Sequence, residues 1–172
     1  MSNDYLGQEL SLQAKSGFIF FSLLIALLFN LLPLQDIILL FRPDFVAITL
    51  LYWSINQPQR IGMSIAFTIG LIMDVADSSI LGQHALAYCL ITFFGMILHR
   101  RLRLFNVFQQ APQVFWMLLF AQFTVFLTGM LGGTYLPNWY YFFPSATGAL
   151  FWPVISFFLS ISQKPKSDPD EL

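Results

Sequence analysis

Apolar residues fall in long runs along this chain, separated by short polar joints. A helix of ~20 predominantly apolar residues spans the ~30 Å hydrocarbon core of a bilayer. Six runs approach that length: Gly17–Leu32, Gln35–Ile55, Arg60–Val75, Ile80–Leu98, Pro112–Leu131 and Trp139–Ile161. The first and third are short, so their helices are expected to extend into flanking polar residues. The second is interrupted by Arg42-Pro43-Asp44. From Pro43 to Ile55 a helix reaches only about 20 Å, so Gln35–Phe41 must contribute to a crossing. A break is expected at Arg42, because a residue before proline avoids the helical backbone. A five-helix arrangement with Gln35–Phe41 re-entrant is the alternative.

Composition identifies the solvent. Of 172 residues, 57% are hydrophobic and only 10% charged, with mean hydropathy +0.69. Soluble domains carry about 25% charged residues, and a soluble globule of this size has too little interior to hide so much apolar surface. Lipid is the remaining choice. A net charge of −1 leaves no basic field for nucleic acid. Cys89 is the single cysteine, which excludes an internal disulfide and a cysteine-based metal cluster. Gly17–Leu32 follows Lys15 as a signal peptide would, but Pro33-Leu34-Gln35-Asp36 offers no small-residue cleavage site, so the run is taken as a retained first helix.

Basic residues orient the bundle. With six helices and the N-terminus inside, Lys15, Arg60, Arg100, Arg101, Arg103, Lys164 and Lys166 are all cytoplasmic, and only Arg42 is outside. The outer joints Pro33–Asp36, Asp77–Ser79 and Gly132–Asn138 contain no lysine or arginine. An odd helix count would strand one end's charges outside. The expected organisation is therefore an all-α integral membrane protein: a cytoplasmic tail 1–16, a six-helix transmembrane domain 17–162 and a cytoplasmic tail 163–172. Tyr135, Trp139, Tyr140 and Tyr141 suit an outer aromatic belt, and Tyr52 and Trp53 an inner one. Ser167–Leu172 is an acidic end without packing content.

Gly62, Ala66 and Gly70 recur at four-residue spacing, a stripe that lets two helix backbones approach closely. Asp74 continues the series and should point at protein. The stripe serves either packing within the bundle or contact with another protein. Intramembrane charge costs roughly 2.5–3.5 kcal/mol per residue at mid-helix on insertion scales. Even so, Arg42, Asp44, Asp74, Asp77 and His84 all fall in the outer halves of helices two to four. They are expected in one layer, with Arg42 and Asp74 as the favoured pair. Arg42 and Asp44, about 200° apart around a regular helix, cannot meet without a break at Pro43.

Three roles compete for this layer: a lock on helix register, a contact for a partner's transmembrane segment, or a substrate, proton or metal site. Asp77-Ser78-Ser79 also reads as a turn and N-cap opening the fourth helix. His99 and the arginines beside it, in the joint Leu98–Gln109, suit lipid headgroups, an orientation signal or a cytoplasmic partner. Pro153 should kink the last helix, and Gly132-Gly133 should loosen the end of the fifth. No phosphate-cradling loop, paired catalytic carboxylates or nucleophile elbow is present, so neither an enzyme nor a cofactor is expected.

One ordered set of short motifs resembles a known family. Asp36, Phe41-Arg42-Pro43, Leu51-Tyr52-Trp53, Pro58, Gly62, Phe67, Gly70, Asp74, Leu81-Gly82, Ala85-Leu86 and Gly148-Ala149-Leu150-Phe151-Trp152-Pro153 are spaced as in the rod shape-determining protein MreD family. The resemblance implies a non-enzymatic component of the bacterial cytoplasmic membrane, in the cell-elongation complex. It implies partnership with an MreC-like bitopic protein, an MreB-like filament and a RodA-type synthase with its class B penicillin-binding protein. It also implies a fold similar to the substrate-binding membrane component of energy-coupling-factor transporters, with a pocket on the outer face. Arg42, Pro43, Gly70, Asp74 and Gly82 carry over as builders of a contact surface. The stripe and the charged layer would then hold a shape against which the single helix of an MreC-like protein docks. The rival expectation is a membrane-embedded subunit that binds or carries a small molecule or a lipid-linked wall precursor. A scaffold that senses lipid through its arginine loop is the third.

Overall fold

The computed structural model describes residues 15–33, 36–133 and 139–161. Both tails beyond them, the basic residues Lys164 and Lys166, the acidic end Ser167–Leu172, the joint residues 34–35 and the loop centre with Tyr135 lie outside the described residues. Among the described residues every regular element is helical. In chain order these are α1 (Ser16–Asn30), α2 (Asp36–Phe41), α3 (Phe45–Asn56), α4 (Met63–Ala76), α5 (Gln83–Leu102), α6 (Val107–Leu131), a 3₁₀ turn (Trp139–Phe142) and α7 (Phe143–Ser160). Ile38–Asn56, α5, α6 and the stretch Trp139–Ser160 are each long and apolar enough to cross a membrane, whereas α1 and α4 are apolar but shorter.

The break between α2 and α3 falls at Arg42-Pro43-Asp44, where the proline demands it. Asp44 restarts the helix as its N-cap, its Oδ1 accepting from Ala47 N at 2.9 Å. α3 is the central element: ten of its twelve residues are buried, so it meets protein on all sides. α5 packs closely on it and α7 more lightly, α6 packs between α5 and α7, α1 lies on α3, and α4 lies on α5. α1 and α4 are thus edge helices. Their outward faces, with Phe20, Phe21 and Ile25 on α1 and Phe67, Ile72 and Val75 on α4, are exposed and apolar.

The structure corrects five expectations. The first and third predicted helices do not lengthen into flanking polar residues: they span only Ser16–Asn30 and Met63–Ala76. Tyr52 and Trp53 do not face headgroups: both are buried, and the Trp53 indole N–H donates to Ser22 Oγ of α1 at 2.9 Å. Asp77-Ser78-Ser79 does not cap α5, whose N-cap is Gly82 in the left-handed region at φ 99°. The arginine joint is shorter than hydropathy suggested, since α5 runs on through Arg100 and Arg101 to Leu102. α6 likewise begins at Val107, five residues ahead of Pro112. Hydropathy marks only the lipid-filled part of a helix, and both helices continue into polar sequence. Pro153 sits inside α7 without ending it. Gly132 terminates α6, and Gly133 follows at φ 80°.

Candidate functional site

The polar residues gather at one end of the bundle, where α1 and α4 finish and α3, α5 and α7 begin. Two carboxylates organise it. Asp44 Oδ1 accepts from Asn30 Nδ2 at 2.8 Å as well as from Ala47 N, and Asp44 Oδ2 accepts from Tyr88 Oη at 2.9 Å. Asn30 in turn accepts from Phe45 N at 3.0 Å. One carboxylate therefore ties the end of α1, the start of α3 and the side of α5. An ionised group in an apolar bundle is tolerated only when such donors replace water.

Asp74 does the same for the α4–α5 joint, and it is fully buried. Its Oδ2 accepts from Gly82 N at 2.8 Å; its Oδ1 accepts from His84 N at 2.7 Å and from Ser79 Oγ at 3.0 Å. His84 Nδ1 lies 2.9 Å from Oδ1. The first N–H groups of a helix have no acceptor within it, and here the preceding helix supplies one. This corrects the favoured pairing of the sequence. Asp74 pairs with His84, whereas Arg42 donates from Nη1 to Leu32 O at 3.1 Å. The turn between α4 and α5 delivers local donors to Asp74 before a distant arginine can reach it.

The small-residue stripe is consumed inside the bundle. Ala66 and Gly70 are buried, and a Cβ added at Gly70 would land on the backbone of Ala85 in α5. Gly62, the N-cap of α4, stands in open space and takes no part in that contact. Gly82 earns its place by its positive φ.

Arg42, Pro43, Asp44, Asp77 and His84 share the wall of one cavity of about 440 Å³, together with Asn30, Tyr88, Gln122, Tyr141 and Ser145. Asp74 stands behind it, reaching it through His84. Gln122 is held by Tyr141 O and Ser145 Oγ. The Asp77 carboxylate has no hydrogen-bond partner among the described residues. Beyond Arg42 and Pro43 a second hollow of about 520 Å³ opens, walled by Phe29, Leu32, Ile38, Phe41, Phe45 and Phe151. No group of three or more His, Cys, Asp or Glu side chains among the described residues is arranged to hold a metal ion. Asn30, Tyr88, Gln122 and Ser145 were missed from sequence. A lone amide in an apolar run, as at Asn30, is the signal that could have exposed one of them.

At the opposite end the arginines divide. Arg103 donates from Nε to Ile55 O at 3.1 Å and from Nη2 to Asn56 O, closing the last turn of α3. Arg60 donates to Ser16 Oγ at 2.7 Å. Arg100 and Arg101 are exposed and make no side-chain hydrogen bond among the described residues.

Among the described residues, apolar helices of spanning length, short connections between them and buried carboxylates satisfied by hydrogen bonds mark the class as a helical membrane protein. Its family follows from comparison with known proteins. The family of rod shape-determining protein MreD matches residues 13–161, nearly the whole chain, and the chain belongs to it. No solved structure matches the chain. Membership assigns it a role in rod shape determination, in a family of structural components rather than enzymes.

Proposed function

We propose that this protein is a non-enzymatic, multi-pass component of the bacterial cytoplasmic membrane. It docks an MreC-like bitopic protein and so links the wall-synthesis machinery, a RodA-type synthase with its class B penicillin-binding protein, to an MreB-like filament. The family match over residues 13–161 carries this reading. The structure supports it in physical terms. The bundle offers edge helices with apolar outer faces, on which a partner's single helix can lie by dispersion and close packing. Six spans with both termini cytoplasmic accord with α2 and α3 acting as one broken crossing and with the basic residues at the Arg103 end. The likeness to the membrane component of energy-coupling-factor transporters rests on resemblance and concerns fold alone.

The test is affinity purification of the tagged protein from native membranes in mild detergent, with partners identified by mass spectrometry. An MreC-like protein should be recovered, and recovery should fall with Asp74→Leu, which disrupts the α4–α5 joint. Recovery of an ATPase pair without elongation proteins would overturn the reading and make the chain a transporter subunit.

A further inference from the structure

We infer that the two adjoining hollows form a single amphiphile site for a phosphate-bearing lipid. In this site the hydrocarbon chain lies in the phenylalanine-lined hollow, the phosphate meets Arg42 and the head group enters the polar cavity. The two hollows share Arg42 and Pro43 as their common wall. One of them is walled by aromatic and aliphatic side chains apart from that arginine. The other presents hydrogen-bonding groups above an apolar floor that includes Met73, Leu118 and Val125. A molecule spanning both must be apolar at one end and polar at the other.

The charge at the junction selects the linking group. Among the described residues, Arg42 is the only lysine or arginine lining either hollow. It is half-buried, and its one hydrogen bond among the described residues, to Leu32 O, leaves further guanidinium N–H donors unused. Planar, charge-assisted donation of this kind suits phosphate.

Acidic groups in the polar cavity decide what the head group is. Asp44 already accepts from three donors. Asp77 accepts from none among the described residues, and it sits in the field of Arg42, His84, Asp44 and Asp74. A second anion on the ligand would be repelled there, while an ammonium, hydroxyl or amide N–H would be received. The site therefore takes a lipid with one phosphate and a donor-rich head. Its volume, about 440 Å³ on the polar side, suits a compact head group. An amine-headed phospholipid and an isoprenoid phosphate carry the same linking chemistry, and the experiment separates them. Binding is read on the purified protein alone, so its outcome is independent of whether partners are recovered from membranes.

Purified protein in mild detergent would be titrated with four probes and read by native mass spectrometry. These are dioctanoylphosphatidylethanolamine, dioctanoylphosphatidylglycerol, farnesyl phosphate and dioctanoylglycerol, which lacks phosphate. The phosphate probes should each bind in one equivalent, and dioctanoylglycerol about tenfold more weakly, the scale of one charge-assisted contact. Arg42→Gln, which keeps a donor for Leu32 O, should lose about tenfold for the phosphate probes alone, and Arg42→Lys should retain most of the affinity. Phosphatidylethanolamine, whose ammonium is opposite in charge to Asp77, should bind more tightly than phosphatidylglycerol, and Asp77→Asn should erase that preference. Competition between phosphatidylethanolamine and farnesyl phosphate identifies the source, since the natural class displaces the other at lower concentration. Ile38→Trp places bulk in the hollow from an exposed position and should abolish binding of every probe. Equal binding of dioctanoylglycerol, unchanged affinity in Arg42→Gln, or full binding to Ile38→Trp would each overturn the inference.

Discussion

Asp74 shows how much one residue can hold. Its two oxygens serve donors from Ser79, Gly82 and His84, so removing them strips the first turn of α5 of its acceptors at once. Asp74→Ala should cost about 3 kcal/mol or more, by analogy with breaking a buried pair. Ser79→Ala, which removes one donor, should cost only about 1 kcal/mol. Melting in detergent checks the order, and a larger loss for Ser79→Ala would refute the capping role. Gly70→Ala should destabilise by roughly 1–3 kcal/mol, because its methyl group meets Ala85 backbone rather than a movable side chain. The position of Asp74 was legible: three small residues at four-residue spacing point it inward. Its partner was not, because five ionisable side chains clustered at helix ends allow several pairings and only the turn geometry chooses.

At the scale of elements, helices are joined by a few polar contacts set in apolar faces. α1 rests on α3 alone among the more extensive contacts, and the Trp53–Ser22 bond is its polar tie near mid-helix. Trp53→Phe should lower stability by about 1 kcal/mol, and hydrogen exchange should rise in α1 before it rises in α5. Uniform exchange across both helices would count against α1 as a separately held edge. The arginines give a second contrast. Arg103→Ala frees the last carbonyls of α3 and should cost roughly 1 kcal/mol. Arg100→Ala should stay within about 0.5 kcal/mol. Equal effects would mean that Arg103 acts only as surface charge.

For the whole molecule the testable quantity is topology. In a Cys89→Ala background, Ser78→Cys should react with a membrane-impermeant maleimide added to intact spheroplasts. Arg101→Cys should react only after permeabilisation. Labelling in the reverse order would invert the bundle, and labelling of both from one side would remove a span between them. The two positions bracket α5, which is long and apolar enough to cross on its own, so the result bears directly on orientation.

Sequence by itself determined the solvent, the helical segments, the break at Pro43, the end of α6 at Gly132 and the inward direction of Asp74. These are local properties: apolar length, backbone restriction at proline and glycine, and the cost of charge in lipid are all encoded within a few turns of chain. Tertiary structure decided which apolar faces are buried, because lipid and protein interior are equally apolar and a run of hydrophobic residues reads the same against either. That is why Tyr52 and Trp53 were mistaken for interfacial anchors while α3 is the buried centre. It also decided the pairings of Asp44 with Tyr88 and Asn30, of Asp74 with His84, and of Arg103 with the end of α3. These bonds join residues up to 48 positions apart, and their partners become neighbours only once helix order and rotation are fixed. The cavity at the Arg42 end is a product of that same arrangement, since α4 and α1 leave room between the ends of the helices they flank.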